Sequence, residues 1–77
     1  MNAERRKAIN TAISSLEEIK ATIEELQNEE QDYYDNMPES FQSGEKGEKG
    51  EAAAGALQEA IDSVDSTIEN LNTACEE

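Results

Sequence analysis

The chain has 77 residues, of which 19 are acidic and six are basic, so its formal net charge is −13. This length supports one domain at most, and a core in so short a chain rarely contributes more than about 3–5 kcal/mol. With one Phe, two Tyr and no Trp, the predicted core is thin and aliphatic. The negative field repels nucleic acid and membrane surfaces, so we expect neither as a direct partner and favour a protein with a basic surface.

Cysteine usage and the N-terminal composition bear on location. Cys75 is the only cysteine, so no intramolecular disulfide forms and nothing indicates an oxidising compartment. An early basic run, Arg5-Arg6-Lys7, without a following apolar run is unlike a secretory signal or a membrane-spanning segment. We therefore expect a cytoplasmic protein.

The first half of the chain carries a heptad pattern. Its apolar residues recur every seven positions in two series, the a and d positions of a coiled coil. The a series is Ile9, Leu16 and Ile23, and the d series is Ala12, Ile19, Leu26 and Tyr33. Asn2 is a suitable N-cap, and Asn36 with Pro38 marks the end. The pattern predicts a helix over residues 3–35.

A second seam follows the only proline. It comprises Leu57, Ile61, Val64, Ile68, Leu71 and Cys75. Ser43 is the candidate cap of this helix, and Gly44, Gly47 and Gly50 weaken its first turns. The sequence predicts a loop over residues 36–43, a second helix over residues 44–75 that is firm from about Glu51, and a tip filled by Met37 and Phe41.

The two seams match when the helices run antiparallel. Pairing residues whose numbers sum to about 80 sets each a position against a d position, so that Ile9 meets Leu71. The same register places Tyr33 over Gly47. The predicted fold is therefore all-α, an antiparallel two-helix hairpin that forms one domain over residues 1–77.

The flanks of this hairpin differ in polarity. One flank, the e positions, is mostly polar and includes a predicted Lys20–Asp65 ion pair. The other flank carries small residues, namely Ala8, Ser15, Thr22, Ala53, Ala60, Thr67 and Ala74. We expect two copies to pack through the small residues as a homodimeric four-helix bundle, which would enlarge a marginal core.

Catalytic, metal and cofactor sites are not predicted. The chain has no histidine, and its lone thiol has no basic partner at a recognisable spacing. A calcium loop counted from Asp32 would have Met37 at the glycine position and Ser43 at the bidentate glutamate position. We therefore expect a non-enzymatic protein without a bound cofactor.

The segment around the predicted loop carries a family resemblance. Residues 35–43, Asp-Asn-Met-Pro-Glu-Ser-Phe-Gln-Ser, lie between a Leu/Ile heptad and an Ala-Ile-Asp-rich heptad. This arrangement resembles the small acidic helical proteins of phage and prophage genomes. The resemblance has no assigned activity attached to it, so it implies an origin, and with it the host cell cytoplasm, more than a mechanism.

The leading functional hypothesis is a small protein-binding module, in particular a phage-encoded inhibitor or modulator of a host protein. Acidic residues would steer it to a basic target. These are Glu17, Glu18, Glu24, Glu25, Glu59, Asp62 and Glu69. One alternative is a nucleic-acid mimic that blocks a DNA- or RNA-binding defence enzyme, and another is a structural or assembly accessory protein.

Overall fold

A computed structural model describes all 77 residues, Met1–Glu77. It contains three helices and no strand: α1 over Ala3–Asp35, α2 over Glu39–Gln42 and α3 over Glu45–Glu76. The two long helices pack antiparallel as a rod of 58 × 15 × 12 Å. The predicted all-α helical hairpin is confirmed.

Both ends of α1 follow the local signals in the sequence. The Asn2 side-chain oxygen accepts a hydrogen bond of 2.8 Å from the Arg5 backbone amide, as an N-cap should. At the other end, the Asn36 amide donates to the Asp32 carbonyl at 3.0 Å, and Pro38 follows two residues later. The predicted bounds of this helix are confirmed.

The start of the second long helix differs from the prediction. Ser43 does not cap α3, because its hydroxyl donates to the Glu39 carbonyl inside the short helix α2. Gly44 occupies the N-cap position without a side-chain bond, and α3 begins at Glu45 rather than firming near Glu51. The acidic side chains in the first turn of α3 interact favourably with the positive end of the helix dipole. The predicted loop thus contains one helical turn.

The glycines at the tip lie close to groups other than those predicted. Gly47 is buried against the backbone of Gln42, and Gly50 is buried beside the ring of Tyr34. The placement of Tyr33 over Gly47 was wrong, because α2 folds back into that space and leaves the Tyr33 side chain 57% exposed.

The seam on α1 is rotated relative to the predicted one. Its half-buried residues alternate between the a positions and the e positions, which are Ile13, Lys20, Gln27 and Tyr34, whereas the residues at the d positions are exposed. The half-buried residues are Ile9, Ile13, Leu16, Lys20, Ile23, Gln27, Glu30 and Tyr34. The prediction that the d series of α1 lies in the core was therefore wrong. On α3 the predicted seam is confirmed, although Ile61 is the only buried hydrophobic side chain.

The predicted apolar plug at the tip is only partly formed. Met37 is half-buried, whereas Phe41 is 51% exposed. The Lys46 ammonium lies 5.8 Å from the centre of the Phe41 ring, which is within cation–π range. The prediction that Phe41 fills the tip was wrong, because the aromatic ring contacts the lysine at the surface instead.

Candidate interaction surface

One flank of the hairpin, the polar flank, is joined by hydrogen bonds between the long helices. Lys20 and Asp65 form an ion pair of 2.7 Å, and the Gln27 amide donates to the Gln58 side-chain oxygen at 2.7 Å. The Tyr34 hydroxyl donates to a Glu51 carboxylate oxygen at 2.9 Å. The predicted Lys20–Asp65 pair is confirmed. These bonds join the e positions of α1 to α3 in the rotated seam.

Two side chains on the polar flank titrate away from their ordinary ranges. The hydrogen bond to Asp65 raises the pKa of Lys20, because the bond favours the charged ammonium. The hydrogen bond to Glu51 raises the pKa of Tyr34, because the carboxylate accepts the phenolic proton and opposes a second negative charge. Both shifts have the same cause, a hydrogen bond between α1 and α3 on this flank.

The opposite side exposes large apolar residues. Ile19 is 50% exposed, Leu26 is 47% exposed and Tyr33 is 57% exposed, and their spacing of seven puts them on one stripe of α1. Tyr33 lines a groove of about 370 Å³ with Gly50 and Ala53 of α3, and the charged side chains of Glu30, Lys46 and Lys49 line it as well. The apolar stripe of α1 therefore reaches α3 at Ala53, and the spacing of seven residues places Ala60 on the same side of α3. We call this surface, Ile19, Leu26, Tyr33, Ala53 and Ala60, the apolar face.

The predicted self-association residues divide between the two helices. On α1, Ala8, Ser15 and Thr22 are exposed. On α3, Thr67 is exposed, whereas Ala53, Ala60 and Ala74 are half-buried along the hairpin's own seam.

Sequence reasoning missed the large members of the apolar face, because it assigned them to the core. The sequence did contain a signal for their exposure, because Ile13 and Tyr34 at e positions allow an a/e seam to replace the a/d seam. The rotation that buries these positions necessarily exposes Ile19, Leu26 and Tyr33.

The hairpin tip extends the apolar face. A shallow groove of about 250 Å³ is lined by Tyr33, Met37, Pro38, Phe41 and Lys46, with Asn36 at its edge. Tyr33 borders both this groove and the one that reaches Ala53. Apolar surface therefore continues from the middle of α1 to the tip.

The predicted partner-binding acids all lie exposed. They are Glu17, Glu18, Glu24, Glu25, Glu59, Asp62 and Glu69. None of them belongs to an ion pair, since the two ion pairs of the chain use Asp65 and Glu45. Asp62 accepts a hydrogen bond of 3.1 Å from Gln58. These seven side chains, which we call the acidic rows, form a negatively charged surface along the rod.

The open end of the hairpin brings the chain termini together. The Met1 amine donates to the Glu77 carbonyl at 3.3 Å, and the Arg6 guanidinium donates to the Cys75 carbonyl at 3.1 Å. These contacts place the basic N-terminal run beside the end of the second long helix, with backbone carbonyls as the acceptors. Cys75 is half-buried and unpaired.

No cluster of three or more carboxylate or thiol side chains has the geometry to hold a metal ion. Neither long helix contains a stretch apolar enough to cross a lipid bilayer. The two features that distinguish the surface are thus the apolar face and the acidic rows. No protein family model, no curated protein and no solved structure matches this chain.

Proposed function

We propose that this chain is a non-catalytic protein-binding module whose apolar face pairs with a second copy, giving a homodimeric four-helix bundle that presents acidic rows to a basic partner. The observation that carries the proposal is the exposure of Ile19, Leu26 and Tyr33, each about half open to solvent on one side of the rod. The three residues recur every seven positions along one side of α1, and apolar residues grouped on one side mark interaction sites more often than scattered ones do.

The accessible surface area of the hairpin supports the proposed self-association. The chain exposes 5585 Å², whereas a compact monomer of 8.5 kDa would expose about 4,700 Å². The excess of about 900 Å² is close to the roughly 800 Å² that each partner buries in a stable interface of standard size.

The thin core supports it as well. Ile61 is the only hydrophobic side chain that the isolated hairpin buries, and two-layer packing normally buries one face of each element against another. A bundle of two hairpins would bury the apolar face of both copies. Dimerisation would therefore stabilise the fold that carries the binding surface.

The acidic rows supply the second half of the proposed function. Seven exposed carboxylates without ion-pair partners give a field that accelerates encounter with a basic surface. None of the seven belongs to the apolar face, so dimerisation leaves them available. Inhibition of a host protein by a phage-encoded chain is the specific role that we infer.

A nucleic-acid mimic is the alternative that the rod shape favours. The rod is 58 Å long and carries 13 net negative charges, or about one charge per 4.5 Å, whereas duplex DNA carries one per about 1.7 Å. The lower charge density weakens the mimicry. The mimic would compete with DNA for a nuclease, and its binding would be lost at high salt.

Sedimentation equilibrium at tens of micromolar tests the self-association, and we expect a dimer. A monomer at that concentration would refute this part of the proposal. For the acidic rows, the probe is a variant with the seven acids replaced by their amides. A host protein retained by the wild type but not by this variant supports steering, and equal retention by both would contradict it.

A further inference from the structure

Charge is unevenly distributed along the rod. The tip half, residues 21–62, contains 12 acidic residues and two lysines, for a formal charge of −10. The terminal half, residues 1–20 and 63–77, contains seven acidic and four basic residues, for a formal charge of −3. A parallel pair of hairpins would set −10 beside −10 at one end, whereas an antiparallel pair sets −10 beside −3 at both ends.

Side-chain size is distributed just as unevenly along the same side. The tip half carries Leu26 and Tyr33, with Phe41 in the groove beyond them. The terminal half of α1 presents the exposed small residues Ala8, Ala12 and Ser15, and its large residue on this side, Ile19, lies at the middle of the rod. A parallel pair would press large residues together at the tip and leave a gap at the other end, which close packing disfavours.

We propose that the two copies pack antiparallel, with the tip of each hairpin lying against the terminal half of the other. This inference rests on the proposed self-association and adds its orientation. A twofold axis near residue 20 of α1 brings the large residues opposite small ones. Tyr33 then lies level with Ala8 of the second copy, Leu26 with Ser15 and Ile19 with Thr22.

This arrangement lowers the electrostatic repulsion and the steric conflict together. Large side chains of one copy enter the space above small side chains of the other, which keeps the distance between helices even along the rod. The two acidic tips lie at opposite ends of the bundle, well beyond the Debye length of about 8 Å at physiological salt. Charge and shape thus favour the same orientation independently.

The test is a distance between two spin labels on the tips. Ser40 is exposed on α2 and lines a groove with Tyr34 and Glu51 on the polar flank, so a label there does not touch the apolar face. The labelled protein is Ser40→Cys in a Cys75→Ser background, measured by double electron–electron resonance. With a rise of 1.5 Å per residue, the antiparallel dimer gives about 50 Å, whereas the parallel dimer gives less than about 30 Å.

Sedimentation of the same labelled protein separates the outcomes. A dimer with a label distance near 50 Å supports the orientation. A dimer with the short distance overturns the orientation and leaves the self-association standing. A monomer overturns the self-association and the orientation with it. If Cys75→Ser fails to fold by circular dichroism, Cys75→Ala retains a small apolar side chain at this half-buried position and repeats the measurement.

Discussion

Gly47 of α3 lies directly against the backbone of Gln42, so that a methyl group on Gly47 would overlap the Gln42 carbonyl. The Gln42 side chain also donates to the Tyr34 carbonyl at 3.0 Å, which ties the short helix α2 to the end of α1. The glycine therefore allows α2 to close the tip of the hairpin. Three elements meet at this one close approach.

Gly47→Ala should destabilise the hairpin, whereas Gly55→Ala should stabilise it. Because the backbone of Gln42 itself must move, the cost of overpacking lies toward the upper end of about 1–3 kcal/mol and exceeds the gain of about 1 kcal/mol from the better helix former. An added methyl group on Gly55 meets no atom within 4 Å, so only the gain remains. Thermal and urea unfolding of the two variants provide the measurement.

Gly50→Ala is the intermediate case. Its methyl group would lie 3.6 Å from the Tyr34 ring, which is ordinary van der Waals contact, so we expect a stability at or above that of the wild type. A loss as large as that of Gly47→Ala would contradict the assigned close approach, because it would indicate a general intolerance of side chains at the tip.

Leu26→Glu should weaken self-association by at least about tenfold, or about 1.4 kcal/mol. The substitution removes an apolar side chain from the apolar face and adds a charge in both copies. Asn72→Glu is the matched control, because Asn72 is exposed on the row of α3 that holds Asp65 and Gln58. Sedimentation equilibrium compares them, and equal weakening by both variants would indicate a general effect of charge.

Dimerisation should strengthen with salt. Each copy carries a formal charge of −13, and raising the salt from about 0.01 M to about 0.15 M shortens the Debye length from about 30 Å to about 8 Å. Binding to a basic partner should weaken over the same range, because that attraction is screened as well. Dissociation constants of the dimer and of the complex with a basic partner, measured at several salt concentrations, test both trends. A dimer that dissociates on adding salt would contradict an apolar interface.

The free energy of unfolding should decline as the pH rises above about 10. The folded state raises the pKa values of Lys20 and Tyr34 above their ordinary values of 10.5 and 10.0. A raised pKa means that the folded chain holds the proton more tightly, so the stabilisation is complete below the ordinary values and is lost through the raised ones. Urea unfolding between pH 8 and about pH 11.5 follows this decline.

Tyr34→Phe isolates the tyrosine part of that decline. It removes the hydroxyl bonded to Glu51, so the loss of stability at alkaline pH should become smaller. Tyr33→Phe is the matched control, because its ring lies on the apolar face away from this contact. An unchanged pH profile for Tyr34→Phe would contradict the role of the Tyr34–Glu51 bond.

The sequence by itself determined the class of fold and the bounds of α1. Heptad spacing, the Asn2 cap and Pro38 act within a few residues of the chain, so their effects are readable without tertiary structure. The same is true of the acidic rows, since exposed charges follow from the pattern. The Lys20–Asp65 pair was also predictable, because antiparallel register fixes which e positions meet.

Only the tertiary structure decided which apolar row of α1 faces α3. An a/d seam and an a/e seam both satisfy the spacing of 3 and 4, and the structure has the second, with Lys20, Gln27 and Tyr34 turned toward α3. The same rotation exposes Ile19, Leu26 and Tyr33. Likewise, the fold of α2 onto Gly47 depends on a backbone contact between separate helices. Local sequence cannot specify such contacts, because they depend on how whole helices rotate and close against each other.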